Sequence, residues 1–278
     1  MNFYEYLAHL EATATPFALA TIIEASQNSP GRTAFKMCVT EDGKVVGSIG
    51  GGSLEYGARN TALEMLRTGE RTRVITYHLT DKELGGIGMA CGGDAKVLIE
   101  TIMPHKKLFI FGGGHIGTAL TRYAADVGFD VTVIDDRPEF SSPEAHPMAV
   151  KTITCPYHDM TQLEFPQNAF FVIVTHQHIG DAICLEGLLK RPELNAKYIG
   201  LIGSAKKLAR VFKDMIENGY SREALQKVHA PIGLNHGGQS ANEIALAIIV
   251  EIIAVKYGKE LTDSMSATRH PLKLMDEV

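Results

Sequence analysis

The stretch LFIFGGGHIG, residues 108–117, decides the architecture of the larger part of the chain. Four consecutive apolar residues, Leu108 to Phe111, read as a short buried strand. Gly112, Gly114 and Gly117 then follow in G-x-G-x-x-G spacing, and helical periodicity begins at His115. Glycine at such positions allows a tight turn and lets backbone amides approach a pyrophosphate, while the N-terminal end of the helix favours negative charge. A second strand over 131–134 ends at Asp135, about twenty residues after Gly114, where a carboxylate could accept hydrogen bonds from ribose hydroxyls and disfavour a 2′-phosphate. Two readings stay open: binding of NAD or another nucleotide, or a turn kept for packing in a fold that binds no dinucleotide.

Downstream, strands at 170–175 and 198–202 alternate with helices at 179–189, 205–218 and 240–255. Short buried strands alternating with helices imply a parallel, doubly wound sheet. The last helix opens on a Ser240/Glu243 capping box, and its apolar residues face nearly all directions, which predicts burial between layers or in a dimer interface. Upstream, Phe3, Leu7 and Leu10 suggest a short helix, followed by strands at 17–23, 34–39 and 44–49. A glycine turn then leads into a helix carrying Leu54, Ala58, Ala62 and Met65 that stops at Gly69, with strands at 71–78 and 95–102 after it. The expected fold is therefore α/β: a small N-terminal α/β domain over residues 1–103, then a Rossmann-like doubly wound parallel-sheet domain over residues 107–278. The tail after Leu261 is expected to be poorly ordered or a docking arm.

Composition narrows the function. With 278 residues, 45% of them hydrophobic, the chain can bury more than one core. Its 27 basic and 32 acidic side chains give a net charge of -5, without the basic excess that binding to nucleic-acid phosphates requires. Residues 1–10 lack a continuous apolar core of the secretory kind, and the longest apolar run, 244–255, is interrupted by Glu251 and too short to span a bilayer. A cytoplasmic protein with no nucleic-acid or membrane partner is expected. Cys38, Cys91, Cys155 and Cys184 lie far apart with no CxxC pair, so a functional cysteine would act singly.

Several motifs could carry chemistry. In GMACGGDAKV, Cys91 stands between Gly88 and the pair Gly92 and Gly93, where ligand atoms can approach the backbone and amides can stabilise a thiolate suited to a transition metal or to sulfur chemistry. A small buried cysteine at a turn is the plainer reading. In GSIGGGSLE, Gly50, Gly51 and Gly52 precede Ser53 and a helix start, so this loop too can present amides to an anion. Glu55 could bind a ligand amine or simply interact with the helix dipole. Gly203, Ser204 and Lys206 could form another anion site, or an ordinary helix cap beside a solvated basic face. VTHQHIGD offers His176, His178 and Asp181 as a loose metal-ligand set, although polar residues normally line a Rossmann crevice. Asn235, His236 and Gln239 precede the last helix as pocket or loop residues.

In this order, GSIGGGSLE, GMACGGDAKV, LFIFGGGHIG, VTVIDDRPEF, VTHQHIGD, YIGLIGSAKK and HAPIGL resemble the XdhC/CoxI family of xanthine dehydrogenase accessory factors over nearly the whole chain. The resemblance implies a homodimeric accessory protein that binds molybdenum cofactor (molybdopterin). It also implies support for the cofactor's sulfuration with a cysteine desulfurase, and delivery to an apo molybdenum hydroxylase of the xanthine dehydrogenase type. It makes Cys91 the contact to molybdenum or its sulfur, whether as catalytic or metal-ligating residue, and gives the pterin or phosphate to Gly50–Gly52 and Gly92–Gly93. Ser53 stands where CoxI-like members commonly carry cysteine, and NHGGQSANE replaces a more usual acidic, proline-containing stretch. Such a protein is a maturation and insertion chaperone more than a turnover enzyme. The alternative is an NAD-dependent oxidoreductase, which lacks an evident proton carrier such as a Tyr-x-x-x-Lys pair. A metal-dependent hydrolase built on His176, His178 and Asp181 is a third reading.

Overall fold

The computed structural model describes residues 1–29, 31–78, 93–176, 178–235 and 237–259, with only the backbone of His178. Cys91, Gly92, His236 and the tail after Leu261 lie outside the described residues. The chain divides into two compact units, Met1–Pro104 and His105–Val278.

The first unit opens with α1 (Phe3–Ala12), whose Asn2 and Glu5 exchange side-chain-to-amide hydrogen bonds of 2.9 and 2.7 Å in a capping box. There follow β1 (Phe17–Ala25), β2 (Lys36–Thr40), β3 (Val45–Ser48), α2 (Gly52–Thr68), β4 (Thr72–His78) and β5 (Asp94–Ile102). The strands pair antiparallel in the order β3-β2-β1-β5-β4. Side chains alternate across β5, so Ala95, Val97 and Ile99 all face one way, where they join Leu54, Ala58, Ala62 and Met65 of α2 in a single core. The helix stops at Gly69, left-handed at φ +76°, whose amide donates to the Met65 carbonyl. β2 starts two residues later than its apolar pattern suggests. Ala34 sits at φ +73°, where the chain turns before the ladder with β1 begins.

The second unit contains β6 (Lys106–Phe111), α3 (His115–Asp126), β7 (Phe129–Asp135), β8 (Lys151–Thr154), β9 (Phe170–Ile173), α4 (His178–Leu189), β10 (Tyr198–Leu201), α5 (Ala205–Glu217), α6 (Arg222–Leu225), β11 (Val228–His229) and α7 (Ala241–Lys256). Its strands are all parallel, in the order β11-β10-β9-β6-β7-β8. Each face is covered. Phe170 and Val172 of β9 point to the layer of α3 and α7, while Phe171 and Ile173 point to that of α4 and α5, which is why this strand reads as an unbroken apolar run. The edge strands β8 and β11 gave no sequence signal, because four and two residues are too few for periodicity to register.

α7 lays Ala245, Ile248, Ile249 and Ile252 on the sheet and leaves Leu246 and Val250 exposed. Glu251, which interrupts the apolar run in the sequence, is buried and accepts a 2.5 Å hydrogen bond from the hydroxyl of buried Tyr198. Because the chain runs from β6 outward through β7 and β8 and then returns to β9, β6 and β9 are neighbours whose connections leave in opposite directions. A crevice at their carboxyl ends is the consequence of that topology.

The glycines of the β6–α3 turn have distinct steric roles. A Cβ on Gly117 would lie 1.9 Å from the Gly112 carbonyl oxygen, whereas one on Gly114 would meet nothing within 4 Å. Gly117→Ala is therefore expected to lose about 1–3 kcal/mol through overpacking, and Gly114→Ala less than about 1 kcal/mol as a poorer helix cap. Urea denaturation of the two variants measures the difference, and equal losses would contradict this assignment of roles.

Candidate functional site

In the first unit, the ends of β1, β3 and β4 and the start of β5 lie at one end of the sheet, with Lys36 paired to Ser48, Ala25 to Ala95 and His78 to Asp94. The Gly50–Gly52 turn is built there, its three glycines at φ +122°, +79° and +60°. Glu55, one turn into α2, folds back over it. Its Oε1 accepts from the Ser48 hydroxyl at 2.5 Å, the Ile49 amide at 3.0 Å and the Gly51 amide at 2.9 Å. Burial pushes the Glu55 pKa up, but hydrogen bonds from Ser48 and the turn amides outweigh it and hold the carboxyl below its ordinary value. The turn thus encloses an anion of its own. The amides of Gly52 and Ser53, at the start of α2, have no partner among the described residues.

The segment after β1 joins this turn to the other glycine stretch. Ser26 donates its amide to the Asp94 carbonyl and accepts from the Asp94 amide, both at 2.9 Å. A Cβ on Gly93, at φ +88°, would lie 2.1 Å from Ser26 Oγ, and one on Gly31 would lie 2.1 Å from the Ile49 carbonyl oxygen. His78 and Asp94, 2.8 Å apart, bracket residues 79–93, which contain Cys91. The other three cysteines are buried, and burial raises each thiol pKa, that of Cys38 to about 11, so none of them is suited to act as a thiolate.

In the second unit, Gly112, Gly114 and Gly117 form the strand-to-helix turn, and Asp135 closes it. Asp135 is fully buried, with four donors on its two oxygens: the Gly113 amide at 2.8 Å, the Arg137 amide at 3.0 Å, and Arg137 Nε and Nη2 at 2.9 and 3.1 Å. The guanidinium also lies over the Phe140 ring at 3.9 Å. Burial pushes the Asp135 pKa up, but the Arg137 hydrogen bonds and the two amides outweigh it and hold the carboxyl low. A ribose hydroxyl would have to displace Arg137 to reach this carboxylate. The role of Arg137 was not legible in the sequence, although it stands two residues after Asp135.

Asp181 is also committed to structure. Buried in the first turn of α4, it accepts from the Thr175 amide at 3.1 Å, the Thr175 hydroxyl at 2.6 Å and Lys207 Nζ at 2.7 Å, which fixes α5 against the end of β9. Ser204 caps α5 by accepting from the Lys207 amide at 3.4 Å. Gly203 precedes it, where an added Cβ would lie 3.0 Å from the Leu208 side chain, and Lys206 is exposed. The residues that do gather at the carboxyl ends of the strands are Asp135, Asp136 and His176, whose ligand atoms all lie within 4.8 Å of one another. Asp136 and Tyr157, which line a cleft there with His176, were not singled out in the sequence.

The low Asp135 pKa makes stability depend on pH. Its contribution is present above the unfolded value of about 3.9 and is lost as pH falls through the lower folded value. Arg137→Met leaves a buried carboxylate without its cation, at a cost of about 3 kcal/mol near neutrality. The loss should shrink as acid protonates Asp135, and urea denaturation from neutral to acidic pH measures it. A loss independent of pH would contradict this role for Arg137.

Among the described residues no helix is long and apolar enough to cross a membrane. The family model described as XdhC Rossmann domain matches residues 108–252, and that described as XdhC and CoxI family matches residues 10–78. The uncharacterized protein YqeB of Escherichia coli K12 is 30% identical over 92% of this chain and 46% of its own length. A probable xanthine dehydrogenase subunit from Bacillus subtilis 168 is 30% identical over 58% of this chain and 46% of its own. The chain thus spans about half the length of these two relatives. The molybdenum cofactor insertion chaperone PaoD of Escherichia coli K12 is 22% identical over 87% of this chain and 84% of its own. With one model covering more than half of the chain in the parallel-sheet unit and the other matching the antiparallel unit, the chain belongs to the XdhC and CoxI family.

Proposed function

We propose that this chain is an accessory protein that takes up molybdenum cofactor as cargo, supports its sulfuration with a cysteine desulfurase, and delivers it to an apo molybdenum hydroxylase of the xanthine dehydrogenase type. The observation that carries the reading is membership of the family in both units, joined to similarity along most of the length of a relative named as a molybdenum cofactor insertion chaperone. In this reading Cys91 is the single thiolate offered to molybdenum or its sulfur, and the inertness of the three buried cysteines supports its selection. Gly92 and Gly93 follow it in the sequence, and Gly93 packs against Ser26. Glu55 holds Ile49 and Gly51 in shape, and the amides of Gly52 and Ser53 receive the cofactor's phosphate at the start of α2.

Delivery of bound cargo requires no turnover. The alternative, an NAD-dependent oxidoreductase, is disfavoured by the engagement of both Asp135 oxygens by Gly113 and Arg137.

The test is to purify the full chain from cells that synthesise the cofactor and to quantify molybdopterin released from it. Wild type is expected to carry several-fold more than Cys91→Ala, and only wild type should activate apo-hydroxylase. Equal molybdopterin content with no activation by either would refute the proposal.

A further inference from the structure

α7 presents a second apolar face besides the one it packs on the sheet. Leu246, Val250, Ile253 and Tyr257 recur at helical spacing, so they line up along one side of the helix. Leu246 is 53% exposed, Val250 38% and Tyr257 67%, while Ile253 is partly buried. The charged residues within this span are turned elsewhere. Glu251 is buried against Tyr198, and Lys256 donates to the Val127 carbonyl at 3.3 Å and lies over the Phe129 ring. Between Glu243 and Lys259 the row therefore holds no charged side chain. Apolar residues scattered singly over a surface need no explanation, whereas a contiguous row marks a place where something packs.

The end of α7 turns the chain toward that row. Gly258 is left-handed at φ +62°, its amide donates to the Val255 carbonyl at 3.1 Å, and the Lys259 amide donates to the Ala254 carbonyl at 2.8 Å. This pair of bonds is a Schellman motif, which stops a helix by folding the chain back over its last turn. An apolar contact from the residue after the glycine to the third or fourth residue before the cap commonly accompanies it. The latter are Ala254 and Ile253 here, but the residue after the glycine is Lys259, an exposed cation. The next apolar side chains in the sequence are Leu261 and Met265. From Leu246 to Tyr257 the row is about 17 Å long at the helical rise, a length that about six residues of extended chain can cover. Residues 260–265 contain both of those side chains.

We propose that the segment 260–278 docks on this row in its own chain, with Leu261 and Met265 packed against Tyr257, Ile253, Val250 and Leu246. The row then becomes part of an intramolecular core. A second copy of the chain is the weaker occupant, because on the same face it would meet the segment that the Schellman turn directs there. The inference concerns the parallel-sheet unit alone and is independent of the cofactor-delivery reading.

The chain contains no tryptophan, so Tyr257→Trp places a single such fluorophore on the row in the full chain. Docking predicts blue-shifted emission and an acrylamide quenching constant several-fold below that of the same variant ending at Lys259. Leu261→Asp combined with Met265→Asp, in the Tyr257→Trp chain, should raise quenching to the level of the shortened chain while keeping the full length. Shielding should also be independent of protein concentration. Equal quenching with and without residues 260–278, or a doubly substituted chain as shielded as its parent, would overturn the proposal. Shielding that grows with protein concentration and survives removal of residues 260–278 would overturn it too, and would assign the row to a second copy.

Discussion

Each unit of this protein closes a glycine-rich turn on a carboxylate from its own chain, and the geometry of both candidate sites depends on that closure. In the antiparallel unit Glu55 accepts from the Ser48 hydroxyl and the Ile49 and Gly51 amides. In the parallel unit Asp135 accepts from the Gly113 amide and from Arg137. Glycine turns of this kind expose amides that attract anions. An internal carboxylate satisfies them, fixes the turn and holds the following helix at a set angle. It also occupies the position that a ligand anion would otherwise take at those amides.

The same pattern recurs away from the turns. Asp181 is engaged by Thr175 and Lys207, tying α5 to the end of β9, and Glu251 is engaged by Tyr198, tying α7 to β10. Buried acids need such partners, because an unpaired charge in a low-dielectric interior is strongly destabilising. Once Asp135, Asp181 and Glu251 are assigned to structure, Asp136 stands out as the carboxylate of the crevice that has no hydrogen bond among the described residues. Its partners are the ion pairs with Arg137 at 3.8 Å and His176 at 3.7 Å.

Much of this architecture was legible in the sequence, because strands buried on both faces and helices with one apolar stripe leave strong periodic patterns. The run Leu108 to Phe111, the glycine spacing after it and the alternation in β5 are of that kind. Edge strands β8 and β11 were not, since short segments at the rim carry no repeating signal. The candidate sites were legible only as residue types. Sequence could mark Glu55, Asp135 and Asp181 as carboxylates near turns, but a ligand-binding carboxylate and one already held by an amide or an arginine look alike until their partners are known. Lys207 and Arg137, which decide the matter, are distinguished from other surface cations only by what lies opposite them in three dimensions. The ordered set of motifs indicated the family without this information, and the spatial partners of each residue had to come from the structure.

If internal carboxylates already occupy the glycine turns, the exchange rate of the Gly113 amide should report it most directly. Hydrogen exchange followed by nuclear magnetic resonance, with and without millimolar NAD, should find this amide strongly protected in the protein alone and unchanged by the nucleotide. An amide that exchanges freely in the protein alone and becomes protected only when NAD is added would contradict that occupancy.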